Sequence, residues 1–435
     1  MPTVTPPRGM RDFLPADKAR RERVLRTIRD RYRVHGFDEI ETPVMEDYDR
    51  LHAGIGGDNE KLAYNVLKRG LDADAIRAAA DDPASLTDLG LRYDLTVPLA
   101  RFYASHRAEL PSVFRAVQIA PVWRAERPQK GRYRQFLQCD IDIIGDATSR
   151  AESELVTATL DTLDALGLAG GEVRINDRRL LDAMLEAFGF PPAARAGVLI
   201  TLDKLDKIGP EGVTVELRER GADEAAVTAV AAHLARLAAS DAGSDHALTA
   251  SGIRAALPDG MPDDVVAHLV GIGEAVAAAR GVGAGSGEVP LRFDPFLVRG
   301  MGYYTGTIFE LAHPAVSYSL GGGGRYDGMI GRFLGQEVPA VGFSLGFERL
   351  VDLVPAADET MADAVVLVHD RDASVGDLLA VKSALVDRGA RVRLEQRTKN
   401  LKALLERARA DGFTAFATVA AGDRDAGKLE IKPLG

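Results

Sequence analysis

Residues 122–145, VWRAERPQKGRYRQFLQCDIDIIG, leave the fold few choices. Five cations, Arg124, Arg127, Lys130, Arg132 and Arg134, crowd one short run, with a single carboxylate, Glu126, among them. Pro128 and Gly131 interrupt that run. Proline fixes φ and glycine permits a positive φ, so together they mark the tip of a hairpin. Beyond the tip, Ile141 and Ile143 alternate with Asp140 and Asp142, the period of two that belongs to a strand with one polar face. The expectation is a β-hairpin with arginines at its tip and carboxylates on its outgoing strand. Such an element suits a polyphosphate held beside a small cationic or zwitterionic ligand. The plainer use is a solvated, charged tip, since exposure is the default for charge.

A chain of 435 residues exceeds one ordinary core and implies two or three domains. With 54 Lys+Arg against 64 Asp+Glu, any contact with nucleic acid has to be local. The lone Cys139 excludes an intramolecular disulfide and fits a reducing, cytoplasmic compartment; the residue itself reads as a small buried hydrophobe. No Cys/His cluster has zinc-ligand spacing, so no protein-bound metal is expected. The N-terminal MPTVTPPRGMRDFLP has no apolar core for a signal peptide, and no run approaches the ~18 apolar residues that span a bilayer. No membrane association is expected.

In chain order, a helix is predicted from Pro15 to about His35, ended by Gly36. A strand over 37–42 meets Pro43, which confines it to a sheet edge, in a helix–strand unit of the kind that builds subunit interfaces. Strands and turns follow over 61–69 and 91–102. Asp94 and Thr96 lie two apart, on one side of an extended chain, where a carboxylate and a hydroxyl suit an ammonium group. An Asx-type cap for a helix over 97–103 is an equal use of the same aspartate. After Ile175 the composition turns Ala-rich. Helices over 180–188, 225–239 and 265–279 predict a helical insertion, residues 176–288, between two parts of one sheet. Strand pattern resumes in LRFDPFLVRGMGYYTGTIFELAHP, with Arg299, Tyr303 and Tyr304. The run from Gly321 to Gly324 lacks a P-loop lysine and is no dinucleotide fingerprint; it suits close backbone approach at a pocket floor. VPAVGFSLGFERLVDLV gives a strand, a turn and a helix with Arg349 in its first turn. Residues 361–435 read βαβαβ, a small α/β domain, with 13 Lys+Arg and 11 Asp+Glu against about −12 for the remainder, the sign a nucleic-acid-binding module needs.

The blocks RGMRDFLP, GFDEIETPVME, LRYDLTVPLAR, VWRAERPQKGRYRQFLQCDIDIIG, LVRGMGYYTGTIFE, GGGGRYDGM and GFSLGFERL together resemble class II histidyl-tRNA synthetases, in order and over essentially the whole chain. GFDEIETP is similar to motif 1 of that class, the arginine hairpin to motif 2 and GFSLGFERL to motif 3. The resemblance implies an α+β catalytic domain over 1–355, an antiparallel sheet flanked by helices and interrupted by the 176–288 insertion. It also implies a C-terminal α/β anticodon-binding domain over 361–435 and a homodimer. The implied function is histidine–tRNA ligation: L-histidine and ATP form histidyl-adenylate, and histidine then passes to tRNA(His).

The roles implied follow the matching positions. Arg124 and Arg299 would meet the α-phosphate as electrostatic catalysts, and a guanidinium fork suits phosphate oxygens. For ATP, Arg124 would be joined by Glu126 at the adenine amino group, Arg132 at the outer phosphates, and Phe136 and Arg349 on the two faces of adenine. Asp94, Thr96 and Gln138 would hold the substrate ammonium. Asp142, Arg299, Tyr303 and Tyr304 would complete the histidine pocket, where an imidazole needs a polar partner at each nitrogen. Arg127, Gln129 and Lys130 at the hairpin tip would touch the tRNA acceptor end. Mg²⁺ would enter bound through ATP phosphates.

The chain departs from the family pattern at Gly302, where Asp is usual, and its C-terminal domain ends soon after KLEIKPL, where a further helix is usual. Two other functions stay in view. One is a paralogue passing histidyl-adenylate to an acceptor other than tRNA. The other is a non-catalytic histidine-binding regulatory subunit, a group that generally erodes the ATP-site residues present here.

Overall fold

A computed structural model of the chain describes residues 4–52, 62–129, 131–239, 247–283, 288–300, 302–355, 364–420 and 422–434. The hairpin forms as its pattern predicts. Strand Phe114–Trp123 runs antiparallel to Gln135–Ile144, with Phe114 opposite Ile144 and Trp123 opposite Gln135. Hydrogen bonding continues past the strand ends, where the Arg124 N–H donates to the Arg134 carbonyl at 2.9 Å and Gln129 bridges Arg132. Gly131 turns the tip at φ +75°, the left-handed region that its sequence position called for. At the base Trp123 donates its indole N–H to Gln135 Oε1 at 3.2 Å.

The hairpin belongs to an eight-stranded sheet. Its spatial order is Asp38–Glu39, Phe114–Trp123, Gln135–Ile144, Ala340–Gly346, Gly321–Arg325, Thr307–Ala312, Glu172–Asp177 and Leu291–Phe293. The six inner strands are antiparallel, and each outermost strand joins in parallel. The predicted 37–42 strand is present at the edge but pairs over only two residues before the chain reaches Pro43. Period two sorts side chains onto two faces. On one face Val117, Ile141, Ile143, Val341, Phe343 and Leu345 are buried. Helix Ser149–Ala165 covers strands Gln135–Ile144 and Ala340–Gly346, and helix Asp263–Ala279 packs on that helix.

Between Glu172–Asp177 and Leu291–Phe293 the chain is helical, but richer than its pattern. Beside Arg178–Ala187, Glu224–Ala239 and Asp263–Ala279 stand Pro192–Leu202, Leu205–Glu219 and Ala250–Ala256. Gly209, at φ 69°, kinks the Leu205–Glu219 helix just before Pro210. Buried residues of these helices, among them Leu181, Leu217 and Leu269, belong to the same apolar core as the sheet.

The chain divides into two compact units, Met1–Asp12 with Val24–Val354, and Phe13–Arg23 with Pro355–Gly435. In the second unit Ala364–His369 lies between Arg391–Gln396 and Ala415–Val419, all parallel, with Lys432–Pro433 added antiparallel. Alternate residues of the central strand feed two cores. Val365 and Leu367 cluster with Leu378, Val381 and Leu385, and Val366 and Val368 with Ala408 and Phe413. That is why AVVLVH shows no alternation: a parallel strand is buried on both faces. Among the described residues no helix is long and apolar enough to cross a membrane.

Candidate active site

The second face of the large sheet is polar and mostly buried. Register aligns Gln118, Asp140, Ser344, Gly322 and Glu310 in one row across it, and Ala116, Asp142, Gly342, Gly324 and Ile308 in the next. The glycines make room. A Cβ on Gly342 would lie 2.0 Å from Asp142 Oδ1, one on Gly322 2.8 Å from Arg299 Cζ, and one on Gly324 2.9 Å from Tyr304 Cδ1. Three of the predicted site side chains therefore occupy volume that only glycine leaves free.

Asp94 is 2% exposed and performs one of its two expected tasks visibly. Its Oδ1 accepts the Val97 N–H at 3.1 Å, ahead of helix Thr96–His106, so the chain turns helical here rather than staying extended. Among the described residues its Oδ2 has no hydrogen-bond partner, and neither has Gln138 Oε1. Two buried, unmatched acceptors favour a ligand that donates, since an orphaned polar group costs about 1–3 kcal/mol. Burial pushes the Asp94 carboxyl up to about 6, against the pull of the Val97 N–H and Arg124. Asp142 accepts from the Tyr326 hydroxyl at 2.6 Å, and burial pushes it up to about 7. Asp140, two residues before Asp142 on the same strand, is raised well above the carboxylate range by burial and then by Asp142. Gln138 Nε2 donates to Asp140 at 3.3 Å and to Ser344 Oγ at 2.9 Å. Tyr303 and Tyr304 pack edge-on at 4.8 Å, and Tyr303 lies 6.1 Å from Tyr326. Burial, then Tyr304 and Asp94, raise the Tyr303 hydroxyl's pKa, and Thr96 pulls the other way. Gly302 lies exposed in the turn before this tyrosine pair.

Around these acids stand the arginines. Arg124 Nε donates to the Tyr93 carbonyl at 2.9 Å, and its guanidinium carbon is 5.1 Å from the Phe136 ring centre. Arg299 Nη1 donates to Glu310 Oε2 at 3.0 Å, above the Gly322 gap. Arg349 Nε donates to the Gly131 carbonyl at 3.1 Å, so the 347–353 helix reaches the hairpin tip. Burial, then the nearby charges of Arg132 and Arg299, depress the Arg349 pKa; it remains a cation, and three guanidiniums share one field. Glu126 lies 3.7 Å from Arg132. Arg127 and Gln129 are exposed at the tip, while Lys130 falls outside the described residues.

A family model described as histidyl-tRNA synthetase matches residues 9–350. The chain belongs to the histidyl-tRNA synthetase family. A histidine–tRNA ligase of Leifsonia xyli is 61% identical over 433 residues, covering 99% of this chain and 98% of its own. A solved histidyl-tRNA synthetase from Nostoc superposes with a TM-score of 0.74 at 24% identity, over 99% of this chain and 95% of its own. A Bacillus halodurans structure described as an ATP phosphoribosyltransferase regulatory subunit/histidyl-tRNA synthetase gives 0.72 at 20% identity, over 96% and 98%. These two structures establish the shared fold. Membership makes this chain an aminoacyl-tRNA ligase, using ATP, histidine and tRNA.

Six polar residues in and around this face carried no role in the sequence reading: Gln118, Asp140, Glu310, Tyr326, Ser344 and Glu348. Asp140 was visible as the alternate carboxylate of its strand, and Tyr326 stands inside the GGGGRYDGM block. Their partners are not legible. Tyr326 and Asp142 are 184 residues apart, and only the register of the finished sheet brings them together.

Proposed function

We infer that this chain activates L-histidine with ATP and then transfers the histidyl group to tRNA(His). The observation that carries this reading is the pairing of unmatched buried acceptors, Asp94 Oδ2 and Gln138 Oε1, with a converging set of arginines on one polar sheet face. In the first step a carboxylate oxygen of histidine bonds to the α-phosphorus and the bond to pyrophosphate breaks. Negative charge grows on the α-phosphoryl oxygens, and Arg124 and Arg299 stabilise it from two sides. Asp94, Thr96 and Gln138 hold the ammonium. Asp142 and Tyr304 address the imidazole, with Tyr303 packed behind them. Phe136 and Arg349 sandwich adenine, Glu126 accepts from its amino group, and Arg132 meets the outer phosphates. In the second step a terminal hydroxyl of tRNA attacks the histidyl carbonyl and AMP leaves, with Arg127, Gln129 and Lys130 guiding the acceptor end.

Mg²⁺ belongs to the nucleotide in this reading. It would be held through the phosphate oxygens of ATP and would supply positive charge to them. The working form is a homodimer in the cytoplasm, and the second compact unit is the anticodon-binding domain. Pyrophosphate exchange across the amino acids, followed by charging of purified tRNA, tests the function. Exchange with histidine alone and charging of tRNA(His) are expected. Absence of exchange overturns the enzyme reading, and exchange without charging points to another acceptor.

A further inference from the structure

The RGMRDFLP block has no part in the roles above, yet its first residues lie against the predicted adenine site. Pro7 to Met10 form a tight turn, the Met10 N–H donating to the Pro7 carbonyl at 2.9 Å with Gly9 at φ +84°. Left-handed backbone at the third residue of such a turn favours glycine. The Gly9 carbonyl then accepts the Arg134 N–H at 2.8 Å, so the segment joins the hairpin by a main-chain bond. A Cβ on Gly9 would stand 2.8 Å from Pro128 and 2.9 Å from Arg134, which shows how closely the segment covers the tip. Two residues on, the Arg11 guanidinium stacks over the Tyr133 ring at 3.5 Å and forms an ion pair with Glu348. Glu348 is 5% exposed, and its other oxygen accepts the Leu137 N–H at 3.3 Å.

That last bond occupies a telling place. The ladder between Gln135–Ile144 and Ala340–Gly346 ends at the pair Gln138–Gly346. One residue further, the Glu348 carboxylate takes the Leu137 N–H. Leu137 follows Phe136, and Glu348 precedes Arg349. The bridge Arg11–Glu348–Leu137 therefore ties together the chain positions beside the two residues assigned to opposite faces of adenine.

We propose that residues 7–12 act as a strap and that Arg11 is a positioning residue for ATP: through Glu348 and Tyr133 it sets the spacing of the Phe136–Arg349 slot before nucleotide arrives. The inference rests on the assignment of those two residues to adenine. A slot held open in the free enzyme binds ATP without having to order the hairpin first, which is where affinity is gained. The contacts of the strap described above fall on Pro128, Tyr133, Arg134 and Glu348, beside the residues assigned to ATP, so its effect is expected on that substrate.

Arg11→Ala and Arg11→Lys test it in the full-length enzyme by two readouts. The first is hydrogen exchange of the Arg134 and Leu137 amides, which needs no activity. Arg11→Ala is expected to speed exchange at Leu137 at least tenfold over wild type. The second is the KM for ATP in histidine-dependent pyrophosphate exchange, beside the Kd for histidine from calorimetry without ATP. Arg11→Ala is expected to raise the KM for ATP at least tenfold and leave histidine binding within twofold; Arg11→Lys, which keeps the charge but loses the fork, falls between. Unchanged Leu137 exchange, an ATP KM within twofold of wild type, or equal losses for both substrates overturns the proposal. Where Arg11→Ala does not fold, Arg11→Lys decides by the same criteria, with a threefold rise in the KM for ATP as the threshold. A wild-type enzyme inert with every amino acid would instead sink the function reading, and amide exchange would still judge the strap.

Discussion

Asp94 and Asp142 are carboxyls that a folded chain without ligand holds at a cost. Each has a folded pKa, about 6 and about 7, above that of an unfolded aspartate. Between pH 4 and 7 the native state therefore binds more protons than the unfolded one, and stability falls as pH rises through that window. Each carboxyl contributes a loss of about 1.4 kcal/mol per pH step between its unfolded and folded pKa. Thermal melting of the ligand-free protein should show a Tm that declines from pH 5 to 7.5, and Asp142→Asn should shrink the decline. With Asp94 and Asp142 in the proposed histidine site, histidine should reverse the preference, because an ammonium favours the ionised acids; its binding near pH 6.5 should release protons, measurable by calorimetry in buffers of different ionisation enthalpy. Arg299→Ala should slow adenylation by about 10²–10³-fold, the scale of losing one donor at a developing oxyanion, while the melting temperature stays near wild type. Retention of most exchange activity would remove Arg299 from the mechanism. At this scale the residue types were readable from the chain, since Asp94, Arg124, Asp142 and Arg299 all stand in recognisable blocks. What they touch was not: Ser344 beside Gln138 comes from a strand far along the chain, and the pairing of Arg299 with Glu310, though both stand in one block, is set only by the fold.

Among the elements, strand Gly321–Arg325 shows best how a bare sequence pattern becomes a site. Its glycines were readable as a pocket floor, and register explains why each second one lies beneath a site side chain. Gly322→Ala puts a Cβ 2.5 Å from the Phe309 carbonyl and 2.8 Å from the Arg299 guanidinium. The expected outcome is a destabilisation of about 1–3 kcal/mol, seen in urea titration, with a drop in exchange activity beyond what the lost stability accounts for. The same strand ends in Arg325, whose Nε and Nη2 donate to Glu152 at 2.6 and 2.7 Å. Glu152 is fully buried in helix Ser149–Ala165, and His268, from helix Asp263–Ala279, lies 3.5 Å from it. Burial alone would raise the Glu152 pKa, but bonds from His268 and Arg325 outweigh it and hold the carboxyl low. Its contribution is present at neutral pH and lost as pH falls through the folded pKa. Glu152→Gln takes away the two bonds to the buried Arg325 and leaves it the longer contact with Asp327 at 3.3 Å, and should cost about 3 kcal/mol by the same titration. Arg325 directly precedes Tyr326, the donor to Asp142, so the loss should reach the histidine pocket as a raised histidine KM.

For the whole molecule, two units with separate apolar cores imply two unfolding events. Scanning calorimetry should resolve two transitions, with ATP and histidine shifting only the one that belongs to the unit holding Asp94, Arg124 and Arg299. A single transition that moves as a whole with both ligands would contradict this. The α/β character of the C-terminal domain was legible because its strands are short apolar runs between helical stretches. That Phe13–Arg23 joins it was not legible, since nothing in a continuous amphipathic helix marks a change of allegiance partway along. One further consequence attaches to Trp123. The chain contains a single tryptophan, and it sits at the base of the arginine hairpin with its indole bonded to Gln135. Intrinsic emission excited at the red edge of the protein spectrum thus comes from one known place, a native optical gauge through which nucleotide arrival, strap loosening and hairpin ordering can be timed in stopped flow without a label.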